Sequence, residues 1–276
     1  KRKVIGDGLL YQMTGHYSYN SPAQKTAIRM AMELEPGHTL LVCLPTGGGK
    51  SLVGQLPAWY ATGGGQLGGA IERTGSSIVV VPTVALAMDQ ARAAGAYFGD
   101  ALGDEYLPSA YWSGMGLEER KAIFSGLANG TMPLVYISPE AILKNPVLNE
   151  ILLKSASKGK LKNLIIDEAH IVQDWGDAFR PDFQLLAVFR RKLLEASQGK
   201  LRTMLFSATI DRATEMLLEE FFSESGKFSS LRGDSLRSEP LFWLKNFESE
   251  DERRYKIGQI LALLPRPLIL YVTKPE

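Results

Sequence analysis

Two hydrophobic patterns alternate along the chain. Unbroken apolar runs recur at 39–44, 78–81, 134–137, 164–166, 203–206 and 268–272, each followed by turn or polar residues. They are too short for stable helices, and apolar character without alternation marks a strand buried on both faces. Between them lie stretches of helical period at 22–34, 117–127, 182–195 and 212–222, with further helical character from Leu52 onward and over 253–264. Ser21 and Gln24 have capping-box spacing, and Pro22 suits a first helical position. Strands alternating with helices predict an α/β fold, a parallel sheet flanked by helices on both faces.

Breaks in these patterns divide the chain. The glycine-rich stretch 63–69 predicts a surface loop, and 223–238, rich in Ser, Gly and charge, reads as a linker. The expected organisation is a first domain over 1–228, a linker over 229–245, and the beginning of a second domain over 246–276. The single cysteine, Cys43, excludes an internal disulfide and a cysteine-based zinc site, and it fits a reducing compartment. A net charge of +1 neither supports nor excludes a nucleic-acid partner, since a local basic groove fits inside a neutral total. No apolar run reaches the roughly 20 residues that cross a bilayer, so no membrane partner is expected. Lys1-Arg2-Lys3-Val4 is too short a basic cluster to carry a nuclear signal by itself.

Candidate chemistry follows the strands. Pro45-Thr46-Gly47-Gly48-Gly49-Lys50-Ser51 joins a strand to a helix. Glycines there let successive N–H groups wrap phosphate oxygens at a helix N-terminus. Lys50 would reach the outer phosphates of ATP, and the Ser51 hydroxyl would ligate Mg²⁺. The strict phosphate-loop pattern has glycine at position 44, where this chain has Leu44. A second apolar strand ends in Asp167-Glu168-Ala169-His170. Asp167 would hold the metal and Glu168 would act as general base. His170 has two readings, a coupling group or a histidine that fixes its turn. Pro82-Thr83, Ser138-Pro139-Glu140 and Ser207-Ala208-Thr209 also follow strands directly, so all five sequences should gather at one edge of the sheet.

Over 17–209 the chain resembles superfamily 2 helicases, and the RecQ-like group in particular. Pro45 to Ser51 looks like motif I, and Asp167 to His170 is the DEAH form of motif II. Ser207-Ala208-Thr209 is similar to motif III, which links nucleotide state to the second domain. The stretches 81–90, with Pro82, Thr83 and Gln90, and 136–143, with Ser138, Pro139 and Glu140, resemble the strand-contacting motifs Ia and Ib. Tyr17 and Gln24 match the tyrosine and glutamine that contact adenine in the RecQ group, while Ser21 stands where that group has arginine. A glutamine in a capping box needs no ligand, so the adenine role stays one of two readings for Gln24. The segment 173–181, with Trp175, Phe179 and Arg180, resembles the aromatic-rich loop that couples single-strand binding to hydrolysis. Its competing reading is a helical core pair four residues apart. Gly176 and Pro181 disfavour a regular helix there, which supports the loop.

The resemblance implies a RecA-like P-loop domain, the start of a second such domain, ATP and Mg²⁺ as cofactors, and DNA as partner. Partner proteins of a repair or defence system are compatible with it, as is a cytoplasmic, nucleoid-associated location, or a nuclear one in a eukaryote. The implied activity is ATP-driven DNA unwinding. A duplex translocase, an RNA helicase and a non-hydrolysing ATP-binding module remain alternatives. The family's later motifs, including the arginine that meets the γ-phosphate, lie beyond residue 276. This predicts ATP binding with poor hydrolysis, because lack of such an arginine costs about 10³–10⁵ in rate.

Overall fold

The computed structural model describes residues 3–63, 74–102, 107–171, 176–223, 227–233 and 244–271. The expected glycine-rich loop lies almost wholly outside these residues. Two compact units are present, Lys1–Ser235 and Leu236–Glu276.

In the first unit a two-stranded antiparallel ribbon, β1 (Val4–Ile5) and β2 (Ser18–Tyr19), encloses helix α1 (Gly8–Thr14). Helix α2 (Pro22–Met32) starts at the predicted cap, the Ser21 hydroxyl accepting from Gln24 N–H at 3.1 Å. There follow β3 (Thr39–Cys43), α3 (Lys50–Ala61), β4 (Ser76–Val80), α4 (Val84–Leu102), β5 (Ser109–Tyr111), α5 (Leu117–Asn129) and β6 (Leu134–Ile137). Then come α6 (Pro139–Lys144), α7 (Pro146–Ser157), β7 (Leu161–Ile166), α8 (Gly176–Ala196), β8 (Arg202–Ser207), α9 (Arg212–Phe222) and β9 (Phe228–Arg232). Seven strands form one sheet in the order β5-β6-β4-β7-β8-β3-β9, with every pair parallel.

The apolar runs form this sheet because both faces are covered. One core holds α1 to α4 against residues such as Leu40, Val42, Ile165 and Phe206. The other holds α5 to α9 against Leu41, Cys43, Leu164 and Leu205. Cys43 is a buried strand residue, as its neighbours predict. The helix α3 lies so close to the sheet that a Cβ at Gly54 would come within 2.9 Å of Ile165 Cδ1.

Three expectations are corrected. The linker reading of 223–238 fails at Phe228–Arg232, which is β9 and pairs with β3 over its whole length. A charged, half-exposed sequence can form an edge strand because its neighbour supplies the hydrogen bonds. The loop reading of 176–181 fails because α8 begins at Gly176 and runs through Pro181. Downstream turns bury Leu186, Ala187, Phe189 and Leu193, and that packing carries a first stretch that propensity alone disfavours. The expected strand at 268–272 does not form over Leu268–Tyr271, where the described residues provide no partner strand to satisfy its backbone. In that second unit the one described helix is α10 (Glu250–Leu263), capped by Ser249 and without buried residues. No described helix is long and apolar enough to cross a membrane.

Candidate nucleotide site

The sheet order brings the motif-bearing strands side by side. Strands β6, β4, β7, β8 and β3 are consecutive neighbours, and each releases one candidate sequence from its carboxyl end. This is the edge where open parallel sheets hold ligands.

At β3 the chain enters the phosphate loop. Gly47 and Gly49 have φ of 70° and 83°, in the left-handed region that glycine tolerates. A Cβ at Gly48 would stand 2.7 Å from the Pro45 carbonyl oxygen, and one at Gly49 would stand 2.0 Å from Gln24 Nε2. The Lys50 Nζ donates to the Leu44 carbonyl at 3.2 Å, turned back over the loop. Leu44 is buried in the core, and its N–H bonds the Ser207 carbonyl at 3.1 Å. A side chain at the position of the missing glycine therefore fits, facing the core rather than the loop. Thr46 and Ser51 are exposed at the rim.

Gln24 is 2% exposed and belongs to this loop. Its Nε2 donates to Gly49 O at 3.2 Å, and its Oε1 accepts from Asn20 N–H at 2.7 Å. One amide hydrogen and part of the carbonyl's accepting capacity remain beyond these bonds. Tyr17 is 78% exposed, with its ring centroid 4.9 Å from that of Tyr11. Between α3 and α4 a cleft of about 240 Å³ runs beside the loop, lined by His16, Gln24, Ser51, Gln55, Gln90 and Tyr97.

Asp7 anchors the ribbon that carries Tyr17. Its carboxylate accepts from Leu10 N–H at 3.1 Å, from the Tyr19 hydroxyl at 2.7 Å and from Arg29 Nη2 at 3.2 Å. Burial pushes the Asp7 pKa up, but those hydrogen bonds and the Arg29 and Lys25 charges outweigh it, so the pKa lies below its ordinary 3.8. Burial, then the bond to Asp7, pushes the Tyr19 hydroxyl up. A depressed carboxylate stabilises the fold above its unfolded pKa and ceases to do so as pH falls through the folded value. Asp7→Asn should therefore melt below wild type at pH 6, the gap closing as pH falls below 3.8 in a series of thermal melts. A gap independent of pH would assign the effect to packing.

At β7 the chain turns through Asp167 and Glu168. Asp167 Oδ1 accepts from Glu168 N–H at 3.0 Å, and Oδ2 accepts from Gln90 Nε2 at 2.9 Å. Glu168 has φ of 54°, a left-handed conformation that costs a non-glycine residue about 1–2 kcal/mol. The turn is held by Ala169 N–H on Phe206 O at 2.8 Å and Ile171 N–H on Glu168 O at 3.0 Å. It directs Glu168 Oε2 to 3.3 Å from His170 Nδ1. The same Nδ1 lies 3.2 Å from Ser207 Oγ, whose hydroxyl donates to Thr209 O at 2.6 Å. With its only proton committed to Thr209, Ser207 accepts from His170, which assigns a hydrogen to Nδ1. Cys43 Sγ contacts Ala208 O at 3.6 Å. A continuous polar line thus joins Glu168, His170, Ser207 and Thr209 across β7 and β8.

The residues fit a metal–nucleotide. Gly48 and Gly49 have no room for a Cβ, the Lys50 amine donates to a backbone carbonyl, and Ser51 and Asp167 line one inner cavity. A hydroxyl and a carboxylate are the hard oxygen donors that Mg²⁺ takes.

Other expected residues differ in what they offer. Thr83 is exposed and starts α4, its hydroxyl accepting from Leu86 N–H at 3.2 Å, with Pro82 half-buried before it. Ser138 is buried and caps α6 through Ala141 N–H at 3.4 Å, leaving Pro139 and Glu140 partly open. Trp175 lies outside the described residues, as do the side chains of Phe179 and Arg180 on α8. Asn20, Gln55 and Tyr136 were not singled out in sequence. Gln55 stands one turn after Ser51 on the same helix face, and its Nε2 donates to the buried Tyr136 hydroxyl at 3.2 Å. Burial foremost, with the Asp167 charge adding and the Gln55 bond opposing, pushes that hydroxyl up to about 12.

The model of the DEAD/DEAH box helicase family matches residues 21–217, and so takes in every one of these strands and turns except β9 and the ribbon. The chain belongs to this family. Among sequence relatives, it is 36% identical over 181 residues to the ATP-dependent DNA helicase RecQ of Synechocystis, covering 65% of this chain and 33% of that protein. It is 34% identical over 172 residues to the ATP-dependent helicase SGS1 of Saccharomyces cerevisiae, covering 62% of this chain and 11% of that one. The chain thus spans a third or less of these helicases. In fold, it is similar to the DUF1998 helicase MrfA bound to DNA, with a TM-score of 0.63 at 17% identity, covering 84% of this chain and 30% of MrfA. The Pyrococcus furiosus Hef helicase domain gives 0.51 at 19% identity, covering 75% of this chain and 37% of that one.

Proposed function

We propose that this chain is the ATP-binding motor half of a RecQ-like DNA helicase, coupling ATP hydrolysis to movement along single-stranded DNA and to unwinding. The observation that carries the reading is the polar line from Glu168, whose Oε2 lies 3.3 Å from His170 Nδ1, through His170 to Ser207 and Thr209, beside the phosphate loop. A simple nucleotide store has no use for a polar connection between its water-activating carboxylate and a neighbouring strand end.

In this reading the N–H groups of Thr46 to Gly49 and the Lys50 amine cradle the phosphates of ATP. Ser51 and Asp167 hold Mg²⁺, which supplies charge neutralisation for those phosphates when bound. Glu168 receives the proton of the attacking water. His170 transmits the state of Glu168 to Ser207-Ala208-Thr209. Tyr17 and Gln24 bind the adenine. Pro82, Thr83, Pro139 and Glu140, with Trp175, Phe179 and Arg180, contact the strand, the aromatics offering faces on which any base stacks. The unit from Leu236 onward opens a second RecA-like domain. The choice of DNA is supported by the names of the RecQ relatives and by the MrfA structure with DNA.

The test is ATP turnover by the full-length protein alone and with single-stranded DNA, duplex DNA or single-stranded RNA. Stimulation mainly by single-stranded DNA, lost in Trp175→Ala, is expected. Stimulation by duplex alone would replace this reading with a translocase, and ATP binding without turnover would replace it with a regulatory module.

A further inference from the structure

We infer that Gln90 is a positioning residue that orients the Asp167 carboxylate and carries movement of the α4 N-terminus to the metal site. This rests on the motor reading above. In the sequence Gln90 belongs with the strand-contacting stretch, but its side chain turns inward to Asp167.

Three observations converge on it. Gln90 Nε2 donates to Asp167 Oδ2 at 2.9 Å, a hydrogen bond to a charged acceptor. The other oxygen, Oδ1, accepts from Glu168 N–H at 3.0 Å, so each carboxylate oxygen has one fixed donor and the plane of the group is set. Both oxygens keep accepting capacity for a metal's water shell. Gln90 also lines an inner cavity of about 10 Å³ together with Ser51 and Asp167, the two candidate metal donors. Gln90 thus bonds one of these donors, Asp167, and shares a cavity wall with the other, Ser51.

The helix makes this contact mechanical. Thr83, exposed at the sheet edge, bonds Leu86 N–H through its hydroxyl and Ala87 N–H through its carbonyl, at 3.2 and 3.0 Å. Gln90 follows Thr83 by seven residues, two turns of one rigid rod about 10 Å long. Ala87, Ala91, Ala94 and Phe98 seat that rod on the sheet. A strand pressing on Pro82-Thr83 therefore moves the Gln90 amide relative to Asp167, with no loop between to absorb the shift.

Outer-shell partners of metal ligands are worth about 10–100-fold in metal affinity or activity. The first readout is binding of a fluorescent ATP analogue to the full-length protein, with Mg²⁺ and with EDTA. In wild type Mg²⁺ should tighten binding. In Gln90→Ala that gain should shrink about tenfold, while affinity in EDTA stays within twofold. Gln90→Glu, which sets a like charge against Asp167, should lose more, and Gln90→Asn less. The second readout is the half-saturating Mg²⁺ for turnover, with and without single-stranded DNA. It should rise about tenfold in Gln90→Ala, and the factor by which DNA stimulates turnover should fall. An unaltered Mg²⁺ gain and unaltered DNA stimulation in a natively melting Gln90→Ala would overturn the inference. Equal losses with Mg²⁺ and with EDTA would also overturn it, as a general packing defect. If wild type shows no stimulation by nucleic acid, the motor reading and the transmission step fall together. The nucleotide-binding arm then still judges whether Gln90 positions Asp167.

Discussion

Glu168→Gln should lower ATP turnover by about 10²–10⁴-fold, the range a positioned general base contributes. Nucleotide affinity should stay within a few fold of wild type. The substitution keeps the size and shape of the side chain but removes its capacity to take a proton. It also leaves the backbone bonds of Ala169 and Ile171 that hold the left-handed turn, so the fold should be untouched. The substitution does not touch the contact between His170 Nδ1 and Ser207 Oγ, so that part of the polar line should survive. Turnover and binding thereby separate, with steady-state hydrolysis in the full-length protein on one side and analogue titration on the other. Turnover within threefold of wild type would remove Glu168 from the role of base. A matched loss of binding would make it a structural residue of the turn.

The second large effect is expected at Gly49. Gly49→Ala should weaken ATP binding about 100-fold, equivalent to about 2.7 kcal/mol. Two causes add. At φ of 83° a side chain is strained wherever there is space, and here there is none, since the new Cβ would fall 2.0 Å from Gln24 Nε2. The loop can relieve this only by leaving the cradle conformation or by expelling Gln24 from its bonds to Gly49 and Asn20. The buried cores lie on the sheet below, so thermal melting should change far less than affinity. Gln24→Ala removes the collision but also the proposed adenine contact, so the control is the single Gln24→Ala variant: adding Gly49→Ala to it leaves only the backbone strain and should cost less than it does in wild type. Single-mutant affinity within threefold of wild type would show that the glycine is incidental.

These two residues differ in how far they could be read in advance. The phosphate loop and the Asp167-Glu168 pair were legible because apolar runs locate strands, and strand ends locate ligands in a parallel sheet. The collision at Gly49 was not legible, since Gln24 lies 25 residues away and only the packing of α2 on α3 brings it there. The same holds for Gln90, whose helical position shows neither which face meets the sheet nor that Asp167 lies across it.

The sequence by itself determined the α/β class, the strands buried on both faces, and the chemistry released from their ends. These depend on local period and composition, which a single segment carries. Only the tertiary structure decided that 228–232 is a strand, that 176–181 is helical and that 268–271 is not a strand. In each case the outcome turns on whether a distant neighbour supplies hydrogen bonds or buried area. It also decided the order β6-β4-β7-β8-β3, which sets five separate turns beside one another. Strand order depends on the free energy of whole faces coming together, and no stretch of sequence holds that term alone.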